Sequence, residues 1–194
     1  MRGCRPLTDH EVEAVGKSFR GIYAKRNKAL FVLGLKTGYR ITELLSLRLG
    51  DVWQHGKVID RMTVQRRHMK NKTRSRTVIL HPLARAALSV WLDHLQTRRG
   101  PLTPETYVFR SHKGDRPISR VQAWRILHAA YAANALTGKV ACHSLRKTFA
   151  HNVYEASGRN IVRTMKAIGH ANVATTMHYL DADQEEVDAA ILAA

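Results

Sequence analysis

Cysteine is nearly absent from this chain: two residues in 194, Cys4 and Cys142, cannot build a disulfide framework. Acidic residues are scarce too, 15 against 32 Lys plus Arg, and the ten that precede Asp181 are scattered. No carboxylate cluster of the kind that two-metal chemistry needs is therefore present. Eleven histidines are available, but no pair shows the H-x-x-x-H spacing and no cysteine pair supports a zinc site. Long apolar runs are missing as well; the longest near-continuous one, Ala29 to Leu35, is far too short to span a bilayer. The stretch from Met1 to Glu13 lacks the apolar core of a signal peptide. These absences place the chain in a reducing cytoplasm, with no membrane segment and no metal.

What remains is a globular composition, 44% hydrophobic and 24% charged, long enough to bury a core in one full domain or two small ones. The charge is strongly one-sided: +17 over the chain. All the basic residues and ten of the acids lie in residues 1–180, a net +22. The last five acids, Asp181, Asp183, Glu185, Glu186 and Asp188, form a −5 tail. A polyanion is the expected partner, and nucleic acid leads, because neutralising phosphates releases counterions.

The punctuation predicts a mainly α domain with a small three-stranded antiparallel sheet. Thr8 with Glu11 reads as a capping box, Ala29 to Leu35 as a buried helix, and Gly38 as the left-handed residue that closes it. A short helix follows, with Ile41, Leu44 and Leu45 on one face. Between Asp51 and Leu80 three β-branched runs, Val58–Ile59, Met62 to Val64 and Thr77 to Ile79, read as the sheet. The segment from Arg66 to Arg74 is then a basic hairpin tip. Helical periodicity returns with Leu83, Ala87, Val90, Trp91 and Leu95, then with Val121, Trp124, Leu127 and Tyr131, with Leu145, Phe149 and Val153, and with Ile161, Met165 and Ile168. Gly169 stops the last of these and leaves His170 on a loop.

Five short segments carry the chemistry: Thr37-Gly-Tyr-Arg40-Ile-Thr-Glu43-Leu44, Asn71-Lys72-Thr73, His143-Ser-Leu-Arg146, Gly169-His170, and Tyr179 nine residues later. In this order they resemble the tyrosine recombinase (phage integrase, Xer-like) family, whose pattern they meet almost letter for letter from about Thr8 to Asp181. Lys147, and Ile168 before Gly-His, depart from the common pattern without touching the chemistry. The resemblance implies a catalytic set of Arg40, Lys72, His143, Arg146 and His170 around the nucleophile Tyr179. It also implies a covalent 3′-phosphotyrosyl intermediate, formed without metal, ATP or other cofactor.

The residue types fit that reaction on their own terms. Arg40 and Arg146 can each offer parallel N–H donors to a phosphodiester's non-bridging oxygens and stay charged at any working pH. Tyrosine is a poor nucleophile while protonated, its reference pKa being about 10; His143 is the assigned base and His170 a donor to the phosphate. Lys72 is the assigned acid for the departing 5′ oxygen, with Lys70 its main rival. Arg66, Arg67, Lys70, Arg74, Arg76 and Lys147 are read as DNA-binding, Glu43 as orienting an arginine, and His151 as a buried structural histidine. The S-x-x-K match at Ser144 to Lys147 and the K-T-G at Lys36 to Gly38 are in the reverse order for a serine β-lactamase and are read as accidental.

The expected function is site-specific recombination of double-stranded DNA (integration, excision, inversion or resolution) by a protein that is monomeric when free and tetrameric on two DNA sites. A type IB topoisomerase-like enzyme and a catalytically silent DNA-binding regulator are the alternatives. The domain expectation is a catalytic domain over residues 1–180, an acidic tail over 181–194, which the resemblance implies docks as a helix on a neighbouring protomer, and no core-binding domain ahead.

Overall fold

The computed structural model describes residues 3–64, 75–99, 102–112, 114, 116–180 and 192. The helices among them are α1 (Asp9–Ser18), α2 (Ala24–Thr37), α3 (Ile41–Leu45), α4 (Pro82–Arg99), α5 (Arg120–Ala133), α6 (Cys142–Ala156), α7 (Ile161–Ile168) and α8 (Val173–Leu180). Four short strands, β1 (Trp53–Gln54), β2 (Lys57–Val58), β3 (Arg61–Val64) and β4 (Arg76–Ile79), lie between α3 and α4. The chain divides into two units, Met1–Phe149 and Ala150–Ala194, the boundary falling inside α6. No helix among the described residues is long and apolar enough to cross a membrane.

Local rules account for most of these boundaries. The α1 capping box is present: Thr8 Oγ1 accepts from Glu11 N at 3.2 Å and Glu11 Oε2 accepts from Thr8 N at 2.9 Å. Arg5 adds a two-pronged ion pair to Glu11 (2.5 and 2.7 Å), and that hydrogen bonding holds the carboxyl well below its usual range, at about 2. Gly38 ends α2 in the left-handed region (φ +60°), and Gly169 ends α7 the same way (φ +78°), as their positions in the sequence predict.

The mainly α fold with a small antiparallel component stands, but its strands form two two-stranded sheets among the described residues. β2 pairs with β1, Gln54 opposite Lys57, and β3 pairs with β4, Met62 opposite Val78. The cause is the turn at His55 and Gly56, both at positive φ (50° and 74°). A two-residue loop of that conformation closes a tight hairpin and ties β2 to the strand before it.

In the first unit one core gathers α2, α4 and the strands, with Leu30, Leu33, Leu47, Met62, Leu88 and Phe109 all essentially inaccessible. A second core joins α1, α2, α5 and the start of α6 through Val15, Phe31, Leu127, Tyr131 and Leu145. Two helices are turned from the faces that periodicity assigned. α4 buries Ala84, Leu88, Trp91, Leu92 and Leu95 but exposes Leu83 and Val90, and α5 buries Ala123, Leu127, Ala130 and Tyr131 but exposes Val121 and Trp124. The exposed Trp124 ring stacks on His128 at 4.7 Å. In the second unit Asn160 Oδ1 caps α7 by accepting from Arg163 N (2.9 Å), and α7 packs on α8. His151, read as buried, is exposed.

Gly38 is required twice over: its φ is left-handed, and a Cβ there would stand 2.2 Å from Phe149 Cδ1. Gly38→Ala should therefore cost about 2–4 kcal/mol, left-handed strain plus overpacking. Gly56→Ala, with positive φ but open space around it, should cost only about 1–2 kcal/mol. Urea denaturation checks both; equal midpoints for the two variants would refute the close approach at Gly38.

Candidate active site

The first part of the site is built on the C-terminal end of α2. Thr37 Oγ1 donates back to Leu33 O (2.6 Å), and Gly38 then turns the chain, so the carbonyls of residues 37 and 38 are left for partners outside the helix. Arg76 Nη2 donates to Thr37 O at 2.6 Å, and Arg146 Nη1 donates to Gly38 O at 2.6 Å. The Arg76 guanidinium lies 4.5 Å over the Tyr39 ring, and the Tyr39 hydroxyl donates to Arg76 O. Burial pushes the Tyr39 phenol up to about 12 and the Arg76 guanidinium down to about 10.

Arg40 follows directly. Its backbone N–H donates to Glu43 Oε2 (2.7 Å) and its Nη1 to Glu43 Oε1 (2.8 Å), with the Glu43 side chain wholly buried. One carboxylate thus caps α3 and fixes the arginine, the orienting role read for Glu43 from sequence. His143 and Arg146 occupy the first turns of α6 and, three residues apart, share a face. Arg146 is 1% exposed, among the largest fully buried side chains of the molecule.

Arg40, more than a hundred residues before His143 and Arg146 in sequence, is thus brought close to them in the first unit. The arrangement concentrates positive charge. Burial first, then the charges of Arg146, Arg40 and Lys147, push the His143 imidazole down to about 4, although the residue keeps solvent access. A neutral imidazole beside fixed guanidiniums is able to accept a proton.

In the second unit His170 stands just past Gly169. His170 Nδ1 pairs with Thr176 Oγ1 at 3.0 Å, and the imidazole meets the Tyr179 ring edge-on with centroids 4.6 Å apart. Thr176, fully buried one turn before Tyr179 on α8, sets the His170 ring; no signal in the sequence singled it out.

Two of the residues expected to bind DNA are not on the surface. Arg76 (8% exposed) and Lys147 (6%) are buried, and Arg76 serves the Thr37–Tyr39 turn, because strand alternation aims it inward opposite Val64. Lys72, Arg66, Arg67, Lys70 and Arg74, and the tail from Asp181 to Ile191, lie outside the described residues.

Two guanidiniums and an imidazole close together in the first unit, and an imidazole against a tyrosine in the second, are the ingredients of phosphodiester transfer to a tyrosine. Residues 6–186 match the Phage integrase family, and the chain belongs to it as a tyrosine recombinase catalytic domain. It is 30% identical over 166 residues to the probable integrase/recombinase YoeC of Bacillus subtilis (strain 168), covering 86% of this chain and 83% of that protein. It is also 30% identical over 180 residues to the tyrosine recombinase XerD of Halalkalibacterium halodurans, covering 90% of this chain but 56% of that one. Relative to that XerD the chain therefore spans little more than half the length. The crystal structure of the XerA recombinase shares the fold, with a TM-score of 0.77 at 23% identity over 97% of this chain and 64% of that one.

The state of His143 is testable. Its imidazole should titrate near 4, not near the ordinary 6.5, in a proton NMR titration of the free protein. Between those values the unfolded chain binds the proton that the folded one refuses, so this residue makes stability rise with pH across that window. A His143 resonance titrating at the ordinary value would contradict the crowding by Arg146 and Arg40.

Proposed function

We propose that this domain cuts and reseals double-stranded DNA at specific sites through a covalent bond between Tyr179 and a 3′ phosphate. The observation that carries the reading is the Gly38 carbonyl: Arg146 is held on it at 2.6 Å, two residues from Arg40, so both guanidiniums are fixed at one turn. Fixed donors that need no reorganisation stabilise the charge gathered on a pentacoordinate phosphate.

In the proposed reaction the Tyr179 hydroxyl oxygen attacks phosphorus and the bond from phosphorus to the 5′ oxygen breaks. The phenolic proton passes to His143, and Lys72 gives a proton to the departing 5′ oxygen. Arg40 and Arg146 hold the non-bridging oxygens, and His170, set by Thr176, adds a hydrogen bond to the same phosphate. Attack by a 5′ hydroxyl on the phosphotyrosine runs the steps backward and reseals a strand. The ester energy is kept in the protein link, so neither ATP nor a metal is called for. Basic side chains of the segment from Arg66 to Arg74 would contact the backbone phosphates.

This reading predicts that Tyr179→Phe binds DNA as the natural protein does but forms no covalent adduct with a nicked suicide substrate on a denaturing gel. An adduct that survives the substitution would move the nucleophile to another residue, Tyr154 being the next tyrosine to test.

The proposal extends to a free monomer that becomes a tetramer on two DNA sites in a bacterial cytoplasm. The −5 tail is repelled by DNA and attracted to basic protein surface, and Val187, Ala190 and Ile191 would share one face if it forms a helix. Docked on a neighbouring protomer, the tail would couple assembly to the position of Tyr179 a few residues upstream. Truncation after Ala182 should then leave single-site binding intact while lowering both two-site recombination and the tetramer seen by sedimentation. Unchanged recombination and assembly would remove the tail from the exchange.

A further inference from the structure

The end of α2 remote from Arg40 borders a second basic concavity. It is a cavity of about 300 Å³ lined among others by Tyr23, Trp91, His94, Arg98, Arg110 and Ser111, all within the first unit. α2 has 14 residues, so at 1.5 Å rise per residue its Tyr23 end lies about 20 Å from the Gly38 turn. The volume falls at the small end of the range for ligand pockets, about 300–1,000 Å³. Nothing in the cleavage chemistry uses it.

Its floor is aromatic and held in place. Trp91 is 4% exposed, and its indole N–H donates to Val108 O at 2.7 Å. The Tyr23 ring carries the Arg26 guanidinium 4.5 Å from its centroid. Arg26, itself buried, is fixed by Asn27 Oδ1 (3.0 Å) and Arg110 O (3.1 Å). The His94 ring sits 5.9 Å from that of Trp91. Rings already immobilised by the fold lose little freedom when a ligand settles on them.

Its rim is cationic. Lys25 from α2 and Arg98 from α4 both act on His94, and burial together with those two charges pushes the His94 imidazole down. Among the described residues none of Lys25, His94 and Arg98 forms an ion pair with a carboxylate. The Arg98 guanidinium at the pocket mouth, with the Lys25 ammonium near enough to act on His94, favours an anion, and the rings beside it favour a planar group attached to it. A nucleotide joins the two. An intact duplex keeps its base faces stacked, so the ring contacts are open only to an unpaired base.

We propose that this cavity binds a nucleotide unit with an unpaired base, the base against the Tyr23 and His94 rings over the buried Trp91 and the phosphate on Arg98. Two sources offer that chemistry, a free nucleoside monophosphate and an unstacked nucleotide of single-stranded DNA. The assignment is independent of the strand-cleavage reading.

Calorimetric titration of the full chain with dAMP, with the single-stranded trinucleotide of deoxyadenosine, and with inorganic phosphate tests it. Arg98→Glu and Tyr23→Leu are the variants, each checked for folding by circular dichroism. Binding of dAMP, or of the trinucleotide alone, should fall by about tenfold or more in both variants; the first result assigns a free nucleotide and the second a DNA strand. Phosphate should bind more weakly than either and be insensitive to Tyr23→Leu. No binding of either probe, binding unchanged in the variants, or phosphate binding as tight as dAMP would overturn the proposal. Adduct formation on the nicked duplex is read in the same samples and should be unaffected by Arg98→Glu; its loss in the natural protein alongside intact dAMP binding would count against the cleavage reading alone.

Discussion

The contact on which the rest of the site depends is that between the Arg146 guanidinium and the Gly38 carbonyl, 2.6 Å long and buried. A guanidinium taken out of water needs acceptors, and the end of a helix supplies them: carbonyls without helical partners, at the negative end of its dipole. Arg76 uses the same end through Thr37 O. Two arginines from remote parts of the chain are therefore immobilised on two consecutive residues, and Arg40 follows two positions later. Gly38 makes this possible, because its left-handed backbone turns the carbonyl outward and its missing Cβ leaves room for Phe149.

The electrostatic consequence follows from that packing. Glu43, wholly buried, is committed to Arg40, while Arg146, Lys147 and Arg76 crowd the same end. The fold thus holds a concentration of positive charge that an anion would relieve, and partial desolvation together with that same charge pushes the His143 imidazole down, although it keeps solvent access. Such preorganisation suits a reaction whose difficulty lies in negative charge on phosphate oxygens. In the proposed reaction the donors would already be in place when the phosphate arrives, their mutual repulsion offset by hydrogen bonds made during folding.

The differences between sequence reading and structure have physical causes. Three β-branched runs read as one sheet, but positive φ at His55 and Gly56 folds the second run back on Trp53 and Gln54; His-Gly is a weaker hairpin signal than Asn-Gly. Arg76 read as one basic residue among many in a basic segment. Only its register opposite Val64 turns it inward, and only the α2 end gives its charge a reason to be buried. On α4 and α5 the apolar pattern was broad enough for two neighbouring faces, and packing chose between them, leaving Leu83, Val90, Val121 and Trp124 outside.

By itself the sequence determined the family membership, from the order of five short motifs, and the mainly α character, the helix ends at Thr8, Gly38 and Gly169 and the pairing of Arg40 with Glu43, because each of these rests on short-range spacing. Capping, left-handed glycines and i,i+3 partners act within one turn and need no knowledge of the rest of the chain. Tertiary structure decided which carbonyl receives Arg146, that Arg76 and Lys147 are buried, that Thr176 sets His170 and that Tyr23 just before α2, side chains of α4 and the loop at Arg110 enclose a cavity. Those facts depend on groups far apart in the chain competing for the same few acceptors and the same buried space, a competition settled only when the whole core packs.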